Sequence, residues 1–403
     1  MYTYKINSDL QEYDQFVSQH PQANLLQSSS WAIIKDNWKS ERLIFLDQNE
    51  TLVASALILI RPLPLGLTML YVPRGPIMDY QNQNLVTFVM KTLKKRAKEH
   101  KAIFAKIDPS LFLSKTLPDG SLETDPLTQT AIEHLETAGA KWTGPTQDLS
   151  DTIQPRFHAN IYNGYFGEER LAKRTRQNIR TARNKGLEIV FGGEELLDAF
   201  SDLMKRTEDR KNISLRGKDY YQKLLTTYGN DAFITIAQLN LVERKKRLEK
   251  ELHKKQEEAK KFDNNNQSNK SLQNQDDQKR LQSELDFLTQ MQEIHGDLVA
   301  ISGTLTLEFG PTAENIYAGM NDDFARYQAP LLTWYETALH SFNRGKKWHN
   351  MGGVENSLDG GLYNFKKNLS PVIEEFVGEF DLPTSTLYPL ANLALKLRKK
   401  LRK

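Results

Sequence analysis

Apolar residues in the first half of the chain form short runs and alternations that predict a repeated α/β pattern. Residues 52–60 and 68–75 are predicted strands, and residues 102–108 are a third. Residues 84–99 between them repeat apolar positions at helical spacing. Short apolar runs with period two are typical of strands, whereas steps of three and four residues indicate a helix. The first half therefore predicts the order hairpin, helix, strand.

The second half of the chain predicts the same order again. Residues 299–309 place apolar side chains on one face at period two, and residues 316–320 follow as a second strand after the turn GPTAEN. Pro330 begins a predicted helix that Gly345 ends, and a strand over residues 346–351 comes next. Two such copies predict an α/β (α+β) fold with duplicated units and mixed sheets.

Residues 241–295 have a different composition, dominated by Lys, Glu, Gln, Asn and Asp and free of Pro. Apolar residues recur there at coiled-coil-like spacing on both sides of the polar stretch DNNNQSNKSLQNQDD, which is predicted to be turn-like or disordered. They are Leu248, Leu252, Ala259, Phe262, Leu281, Leu285 and Leu288. The pattern predicts an antiparallel helical hairpin whose first arm, of about 20 residues, reaches roughly 30 Å.

The composition of the chain excludes several kinds of site and segment. The 403 residues include 54 Lys+Arg, 51 Asp+Glu and no Cys, and the formal charge is +3. A chain without cysteine has no disulfide framework, thiolate nucleophile or cysteine-ligated zinc. The N-terminal segment MYTYKINSDLQEYDQ is polar and acidic, unlike a signal peptide, and the apolar run at 52–60 is too short to cross a bilayer. A soluble, cytoplasmic protein is expected.

Metal and nucleotide cofactors are not predicted. The eight His residues show neither HExxH nor another paired ligand spacing. The sequences GxxxxGK[ST] and GxGxxG do not occur, so a phosphate-binding loop and a Rossmann cofactor lack support.

Basic residues cluster in two places. Lys173, Arg176, Arg180 and Arg183 fall on one face of a predicted helix, and such a stripe suits a phosphate backbone. The alternative is a solvated helix face. At the C-terminus, six of the last eight residues are basic and leucines recur every four residues. This pattern fits an anionic membrane surface, and the alternative is a frayed, solubilising tail.

Four isolated polar residues have both a structural and a functional interpretation. Asp108 ends a predicted buried strand, where open α/β folds place ligands, although the sequence alone favours a helix or turn cap before Pro109. Lys35 fits an exposed helical lysine, and Arg216 fits a surface loop. Lys366 follows Phe365 in a Gly-rich segment suited to close approach.

Six segments together resemble the Fem family of tRNA-dependent peptidoglycan aminoacyltransferases, and most of all its streptococcal MurM branch. The segments are LLQSSSWAIIKDNW, YVPRGPIMDY, TIQPR, IRTARNKGLEIVFGG, NIYAGM and MGGVENSLDGGLYNFKKNLSP. The resemblance implies two tandem subdomains of the Gcn5-related acetyltransferase type and a helical coiled-coil arm. The implied boundaries are 1–150 for the first subdomain, 151–240 with 296–390 for the second, 241–295 for the arm and 391–403 for a basic tail.

The resemblance also implies a reaction. An amino acid, Ala or Ser in the MurM branch and Gly in staphylococcal relatives, moves from aminoacyl-tRNA to the stem-peptide lysine of the lipid-linked precursor, lipid II. Asp108 would accept the proton of the lysine ammonium, and Lys366, paired with Phe365, would stabilise the oxyanion. Lys35 and Arg216 match positions that hold the acceptor diphosphate. No cofactor is implied, because the aminoacyl ester is already activated.

Partner contacts follow from charge more than from the resemblance. The stripe from Lys173 to Arg183 and the arm are expected to meet tRNA, and the basic tail to meet the inner face of the cell membrane. Two other classes of function stay open at this point. One is a non-catalytic RNA- or membrane-binding scaffold, and the other is a CoA-dependent N-acyltransferase that uses Arg183–Gly186 as a pyrophosphate loop.

Overall fold

A computed structural model gives the three-dimensional structure of the chain and describes residues 1–146, 148–263 and 268–400. The first half contains the predicted hairpin, helix and strand, extended at both ends. Its elements are β1 (Thr3–Ile6), α1 (Leu10–Gln19), α2 (Ser29–Ile34), β2 (Lys39–Leu46), β3 (Leu52–Pro62), β4 (Thr68–Val72), β5 (Ile77–Met78), α3 (Gln83–Glu99), β6 (Ala102–Ile107), β7 (Phe112–Thr116), β8 (Leu122–Glu123), α4 (Leu127–Thr137) and β9 (Lys141–Trp142).

The second half contains the repeat of this pattern, with the charged helices inserted before it. Its elements are β10 (Phe157–Tyr162), α5 (Lys173–Asn184), β11 (Glu188–Gly192), α6 (Leu197–Lys211), α7 (Lys218–Tyr228), β12 (Ala232–Asn240), α8 (Leu241–Asp263), α9 (Ser268–His295), β13 (Leu298–Phe309), β14 (Thr312–Met320), α10 (Ala329–Asn343), β15 (Trp348–Val354), α11 (Gly361–Lys366), β16 (Val372–Phe376), β17 (Phe380–Pro383) and α12 (Tyr388–Lys400).

The described strands form two mixed sheets. The first has the order β1-β2-β3-β4-β6-β17-β9, with β5 beside β3, and the second has the order β11-β12-β13-β14-β15-β10-β16-β7-β8. In each sheet an antiparallel hairpin, β3–β4 or β13–β14, leads through a helix to a parallel strand, β6 or β15. The predicted α/β fold with duplicated, mixed sheets is confirmed.

Local sequence explains these repeated units. The Asn82 side chain caps α3 by accepting from the Leu85 N–H, and α3 buries one apolar face from Leu85 to Ala97. Pro330 occupies the first turn of α10, where its missing N–H costs nothing, and Gly345 follows that helix with φ near +88°. The turn predicted over residues 310–315 is shorter than expected, because β14 already begins at Thr312.

The sheets exchange strands across the predicted boundary at residue 150. β7 and β8 join the second sheet through β16, whereas β17, from near the C-terminus, pairs with β6 in the first sheet. A buried ion cluster holds β17 there: Lys106 Nζ lies 2.7 Å from carboxylate oxygens of both Glu379 and Asp381. Removing one partner of such a buried cluster leaves an uncompensated charge, so β17 is firmly tied to β6.

The two halves also share a core. One apolar cluster continues from Leu57 and Leu59 of the first sheet to Leu305 and Leu307 of the second, and α2 packs on α7 beside it. Burying each such leucine contributes on the order of 2 kcal/mol. The groups between the sheets therefore have fixed relative positions.

Helices α8 and α9 pack antiparallel. Lys245 Nζ lies 3.0 Å from Gln292 Oε1 near their base, and Lys255 Nζ lies 3.2 Å from Asp277 farther out. Leu248, Leu285 and Leu288 are buried between or beneath the helices. The stretch predicted as turn or disordered is helical from Ser268 onward, whereas its residues 264–267 lie outside the described part, as do tail residues 401–403.

Candidate active site

Strands β14 and β15 separate and leave a cavity. They pair in parallel only from Thr312–Trp348 to Glu314–Asn350. Beyond this pair, the two strands line opposite sides of a cavity of about 700 Å³. Trp334 of α10 and Phe365 and Lys366 of α11 complete the wall. The backbone edges that face each other across the gap are therefore available to a ligand.

Lys366 is buried in the wall of this cavity. Its Nζ donates to the Gly353 carbonyl oxygen over 2.7 Å and lies 5.7 Å from the Trp334 ring centroid. The Phe365 ring packs edge-on against Trp334, with centroids 5.5 Å apart. Burial lowers the pKa of Lys366 to about 7. The lysine therefore exchanges a proton near neutral pH, and its ammonium form places a positive charge at the cavity.

Asp108 follows the end of β6 and is 1% exposed. The Tyr71 hydroxyl donates to one carboxylate oxygen over 2.7 Å, and the Arg74 backbone N–H donates to the other over 2.6 Å. Burial raises the pKa of Asp108 to about 7, although the Arg74 charge and the Tyr71 hydrogen bond act in the opposite direction. Asp108 thus links β6 to the segment after β4 and does not cap a helix.

Arg74 connects Asp108 to the second sheet. Its buried guanidinium lies over the Phe376 ring and donates to the Pro155 carbonyl oxygen over 2.8 Å. It also approaches His158 Nε2 to 3.0 Å. Because a guanidinium only donates, His158 accepts on Nε2. Its Nδ1 lies 3.2 Å from Asn350 Oδ1 and 3.0 Å from Asn350 Nδ2. Burial, reinforced by the Arg74 charge, keeps the pKa of His158 well below its usual range.

Glu314 lies at the other end of this network. The Asn350 amide donates to its carboxylate over 3.4 Å, where β14 and β15 make their last pair. Burial raises the pKa of Glu314 to about 7, opposed by the charge of Arg74 and by the Leu25 backbone N–H. Glu314 is only partly buried, unlike Asp108. Two carboxyl groups that protonate near neutral pH therefore lie in the field of one buried cation.

A group of cations lies beside this region. Lys35 ends α2, is partly buried and lies 4.7 Å from the Trp31 ring centroid, so the expectation of an exposed lysine is wrong. Burial lowers the pKa of Lys35, and the charges of Arg216 and Lys223 lower it further. Arg216 is an exposed loop residue before α7 and lies 4.9 Å from the Tyr220 ring. Within the described part of the chain, Lys35 and Arg216 form no ion pair, whereas the neighbouring Lys223 pairs with Asp36 over 2.5 Å.

Tyr317 joins the cation group to the cavity. It packs edge-on against Tyr220, and the nearby Arg216 charge opposes the rise in the Tyr317 pKa that burial causes. Tyr317 also lines the 700 Å³ cavity and lies on β14, three residues after Glu314. An anion held by Lys35 and Arg216 would relieve the mutual repulsion of these cations.

The predicted basic stripe lies on α5, which packs against α10. Lys173 and Arg180 are exposed. Arg176 folds back to donate to the Leu171 carbonyl oxygen over 2.6 Å, and Arg183 pairs with Glu168 and Glu336 at 3.0 and 2.8 Å. The stripe is therefore continuous in sequence but divided in the structure between exposed cations and cations engaged within the fold.

Several residues of this site lack a signal in the sequence. Arg74, His158 and Glu314 come from three distant segments and have no local spacing that marks them. Tyr220 and Tyr317 are aromatic residues among fifteen tyrosines. Residues 71–80 and 315–320, which contribute to the family resemblance, contain Arg74 and Tyr317 and offered the one usable indication.

The described residues hold neither a cluster of metal ligands nor a helix that could span a membrane. Over residues 1–146, 148–263 and 268–400, no three His, Cys, Asp or Glu side chains gather as they would around a metal ion. In the same ranges no helix combines the length and apolarity needed to cross a bilayer.

Comparison with known proteins identifies the family. The model of the FemAB family matches residues 9–396. A lipid II:glycine glycyltransferase of Staphylococcus saprophyticus is 26% identical over 417 residues, and one of Staphylococcus aureus strain USA300 is 26% identical over 428 residues. Each alignment covers 99% of this chain and 97% of the relative.

Among solved structures, the crystal structure of FemX superposes with a TM-score of 0.77 at 24% identity. The alignment covers 96% of this chain and 99% of FemX, and it supports the fold. The resemblance to the Fem family predicted from six segments is thereby confirmed, while the assignment to the MurM branch stays a prediction. The chain belongs to the FemAB family.

Proposed function

We propose that this chain is an aminoacyltransferase that moves an amino acid from aminoacyl-tRNA to the stem-peptide lysine of lipid II. The observation that carries the proposal is the alignment, along one strand, of an anion-binding group and a cavity with a buried lysine. Tyr317 contacts the Lys35–Arg216 group, and the same strand lines the cavity of Lys366. The relatives named as lipid II:glycine glycyltransferases support this reaction class.

The acceptor is proposed to bind through its diphosphate. Lys35 and Arg216 present two cations that form no ion pair within the described chain, whereas the neighbouring Lys223 is paired with Asp36. Charge-assisted hydrogen bonds from two cations suit a diphosphate. The stem peptide would then extend along β14 toward the cavity, and its lysine would reach the region of Glu314 and Lys366.

The reaction requires loss of one proton before attack. The acceptor lysine is an ammonium near neutral pH, and its free amine attacks the ester carbonyl carbon of the aminoacyl-tRNA. The C–N bond forms, the ester C–O bond breaks, and the ribose hydroxyl leaves with a proton. We assign the proton acceptor to Asp108, whose pKa near 7 suits transfer at neutral pH. Glu314, less buried and with the same raised pKa, is the alternative.

Lys366 is proposed to stabilise the oxyanion of the tetrahedral intermediate. Its ammonium lies in the cavity wall, where burial keeps water away and strengthens electrostatic interactions. Phe365 and Trp334 form an apolar surface against which the terminal ribose or base of the donor can pack. No metal or cofactor is part of this proposal, since the donor ester is activated before it binds.

The donor tRNA is proposed to contact α5 through Lys173, Arg176, Arg180 and Arg183. Lys173 and Arg180 are exposed, whereas Arg183 would exchange Glu168 and Glu336 for phosphate. For the amino acid, the MurM resemblance favours Ala or Ser, whereas the names of the relatives favour Gly.

The test is transfer of radiolabelled Ala, Ser or Gly from charged tRNA to lysine-containing lipid II. We expect the wild type to transfer one of them. Lys35→Ala and Arg216→Ala should each raise KM for lipid II about 10- to 100-fold, the loss of one charge-assisted contact, with tRNA binding unchanged. Lys39→Ala, at an exposed position of β2, is the matched control. Intact tRNA binding without transfer from any donor would favour a non-catalytic scaffold, and turnover of acetyl-CoA without tRNA would favour a CoA-dependent acyltransferase.

A further inference from the structure

The tip of the β3–β4 hairpin carries a fully protruding leucine. Leu65 is 96% exposed and adopts a left-handed backbone conformation, with φ near +62°. Pro62 and Pro64 precede it and Gly66 follows, so the tip is short and stiff. Non-glycine residues are uncommon in this conformation, and a leucine exposed to this extent has no packing role in the fold. Leu65 therefore protrudes from the fold at a fixed position.

Helix α12 presents a second set of exposed leucines. Leu390 and Leu393 are 68% and 56% exposed, and Leu387 just before the helix is also exposed. The opposite side of the helix is anchored, because the Tyr388 ring packs edge-on against Phe104 and its hydroxyl donates to Asp381. At 100° per residue, Leu390 and Leu393 point away from Tyr388. The fold thus holds α12 with its apolar face outward.

The hairpin tip and α12 lie at the same end of the strands of the first sheet. Thr68, three residues after Leu65, is paired with Ala102 at the start of β6. On the other side of β6, Thr384 donates through its hydroxyl to the Ala102 carbonyl oxygen, three residues before Leu387. Neighbouring strands are about 4.8 Å apart, so Thr68 and Thr384 are about 10 Å apart across β6.

Positive charge surrounds these leucines. Lys101, directly before Ala102, is exposed, and Lys141 is exposed with its Nζ 5.4 Å from the Tyr388 ring. The chain beyond Leu393 is strongly basic, with six Lys or Arg among the last eight residues. Separate apolar protrusions with basic residues near them match an anionic bilayer with an apolar interior better than a protein groove. Exposed leucines have no favourable contact to make with a phosphate backbone.

We propose that this end of the first sheet docks on an anionic lipid bilayer. The docking surface consists of the Leu65 tip, the outer face of α12, Lys101 and Lys141. The proposal rests on the proposed function in one respect, that the acceptor is lipid-linked. Two separate apolar anchors at the same end of the sheet, with basic residues near them, fix the tilt of the chain on the surface, which one basic tail does not. The docking surface belongs to the first sheet, whose strand β2 begins four residues after Lys35, so it sets the height of the diphosphate site above the bilayer.

The absence of cysteine makes a direct test simple. Leu65→Cys, Leu390→Cys and Leu122→Cys are each labelled with an environment-sensitive fluorophore and mixed with vesicles. Leu122 is the matched control, because it is 65% exposed but lies on β8 of the second sheet. With phosphatidylcholine–phosphatidylglycerol vesicles we expect a blue shift and a severalfold rise in emission at positions 65 and 390, and no change at 122. Equal signals at all three positions, or none at 65 and 390, would overturn the proposal.

Function is tested on the unlabelled double variant Leu65→Ser/Leu390→Ser. It should bind anionic vesicles at least tenfold more weakly than the wild type and Leu122→Ser. Its transfer to lipid II in vesicles should fall, while transfer to a water-soluble, lysine-containing precursor is retained. Equal vesicle binding by the double variant, or equal binding of the wild type to neutral and anionic vesicles, would contradict the proposal. Vesicle binding by a wild type that transfers no amino acid would leave docking intact and remove the proposed function.

Discussion

The two parallel strand pairs of the molecule begin alike and end differently. Both follow a hairpin and a helix, yet β4 and β6 stay paired through Val72–Ile107, whereas β14 and β15 separate after Glu314–Asn350. In the first half Asp108 then accepts a hydrogen bond from the Arg74 backbone N–H, which joins the residue after β6 to the segment after β4. In the second half Gly352 and Gly353 follow, and a cavity opens. One duplicated unit thus provides a closed, buried carboxylate, and the other provides the space.

This difference distributes the chemistry between the halves. The closed pair buries an acid and raises its pKa, and the open pair buries a base, Lys366, and lowers its pKa, both to about 7. Arg74 and His158 connect the two regions. Desolvation penalises the charged form of each group, so it raises the pKa of the acid and lowers the pKa of the base.

The largest effect is expected from removing the cation of the open half. Lys366→Ala should lower kcat for aminoacyl transfer by about 10²–10³-fold, the cost typical of losing one oxyanion-stabilising donor. The adjacent Lys367 is exposed and provides the control Lys367→Ala, which should retain wild-type kcat. Single-turnover transfer from charged tRNA measures both variants. A Lys366→Ala enzyme within twofold of wild type would remove Lys366 from the mechanism.

The second prediction concerns the acid of the closed half. Asp108→Asn preserves a carbonyl oxygen for the Arg74 N–H and an amide for the Tyr71 hydroxyl, so the fold should persist. Loss of a general base should lower kcat by about 10²-fold or more. Glu314→Gln is the companion variant, because Glu314 lies across Arg74 and has the same raised pKa. If Glu314→Gln loses activity and Asp108→Asn does not, the proton acceptor lies at the start of the open gap.

The sequence predicts the repeated units well, because hairpins and helices are local. Period-two alternation in β13 and helical spacing in α3 depend only on which face each residue buries. The joining of β7 to β16 and of β17 to β6 depends on pairings more than 250 residues apart, which local periodicity does not encode. The same limit applies to the site. Lys366 and Asp108 lie in recognisable segments, but Glu314 becomes notable only when folding places it near Arg74.

Burial was the other quantity that the sequence misjudged. Lys35 looked like an exposed lysine on a helix, but α2 ends there and packs against α7, so its stem is partly buried. The predicted cap role of Asp108 failed for a similar reason. Its partners, Tyr71 and Arg74, come from the neighbouring strand rather than from the residues that follow it.

The third prediction concerns a substitution that adds a methyl group at the start of the gap between β14 and β15. A Cβ on Gly353 would lie 2.5 Å from the Pro155 ring, which has little freedom to move, so Gly353→Ala should destabilise the fold by about 1–3 kcal/mol. Gly361 has no neighbour within 4 Å of its Cβ position, and Gly361→Ala should be close to neutral. Urea denaturation measures both. Equal stability of the two variants would mean that β15 can shift away from Pro155, and that the gap is not rigidly set.

The smallest effect is the pH dependence that follows from pairing the two halves. Asp108, raised to about 7, must be ionised, so its contribution to activity grows as pH rises through 7. Lys366, lowered to about 7, must be protonated, so its contribution falls over the same range. The fraction of enzyme that has Asp108 ionised and Lys366 protonated peaks near pH 7 at about one quarter. It falls about threefold at one pH unit on either side. The acceptor lysine, with an ordinary pKa near 10.4, titrates outside this window. The rate of transfer between about pH 5.5 and 8.5 tests this. Asp108→Asn should lose the acidic limb and keep the basic one, whereas a flat wild-type profile would separate both groups from the rate-limiting step.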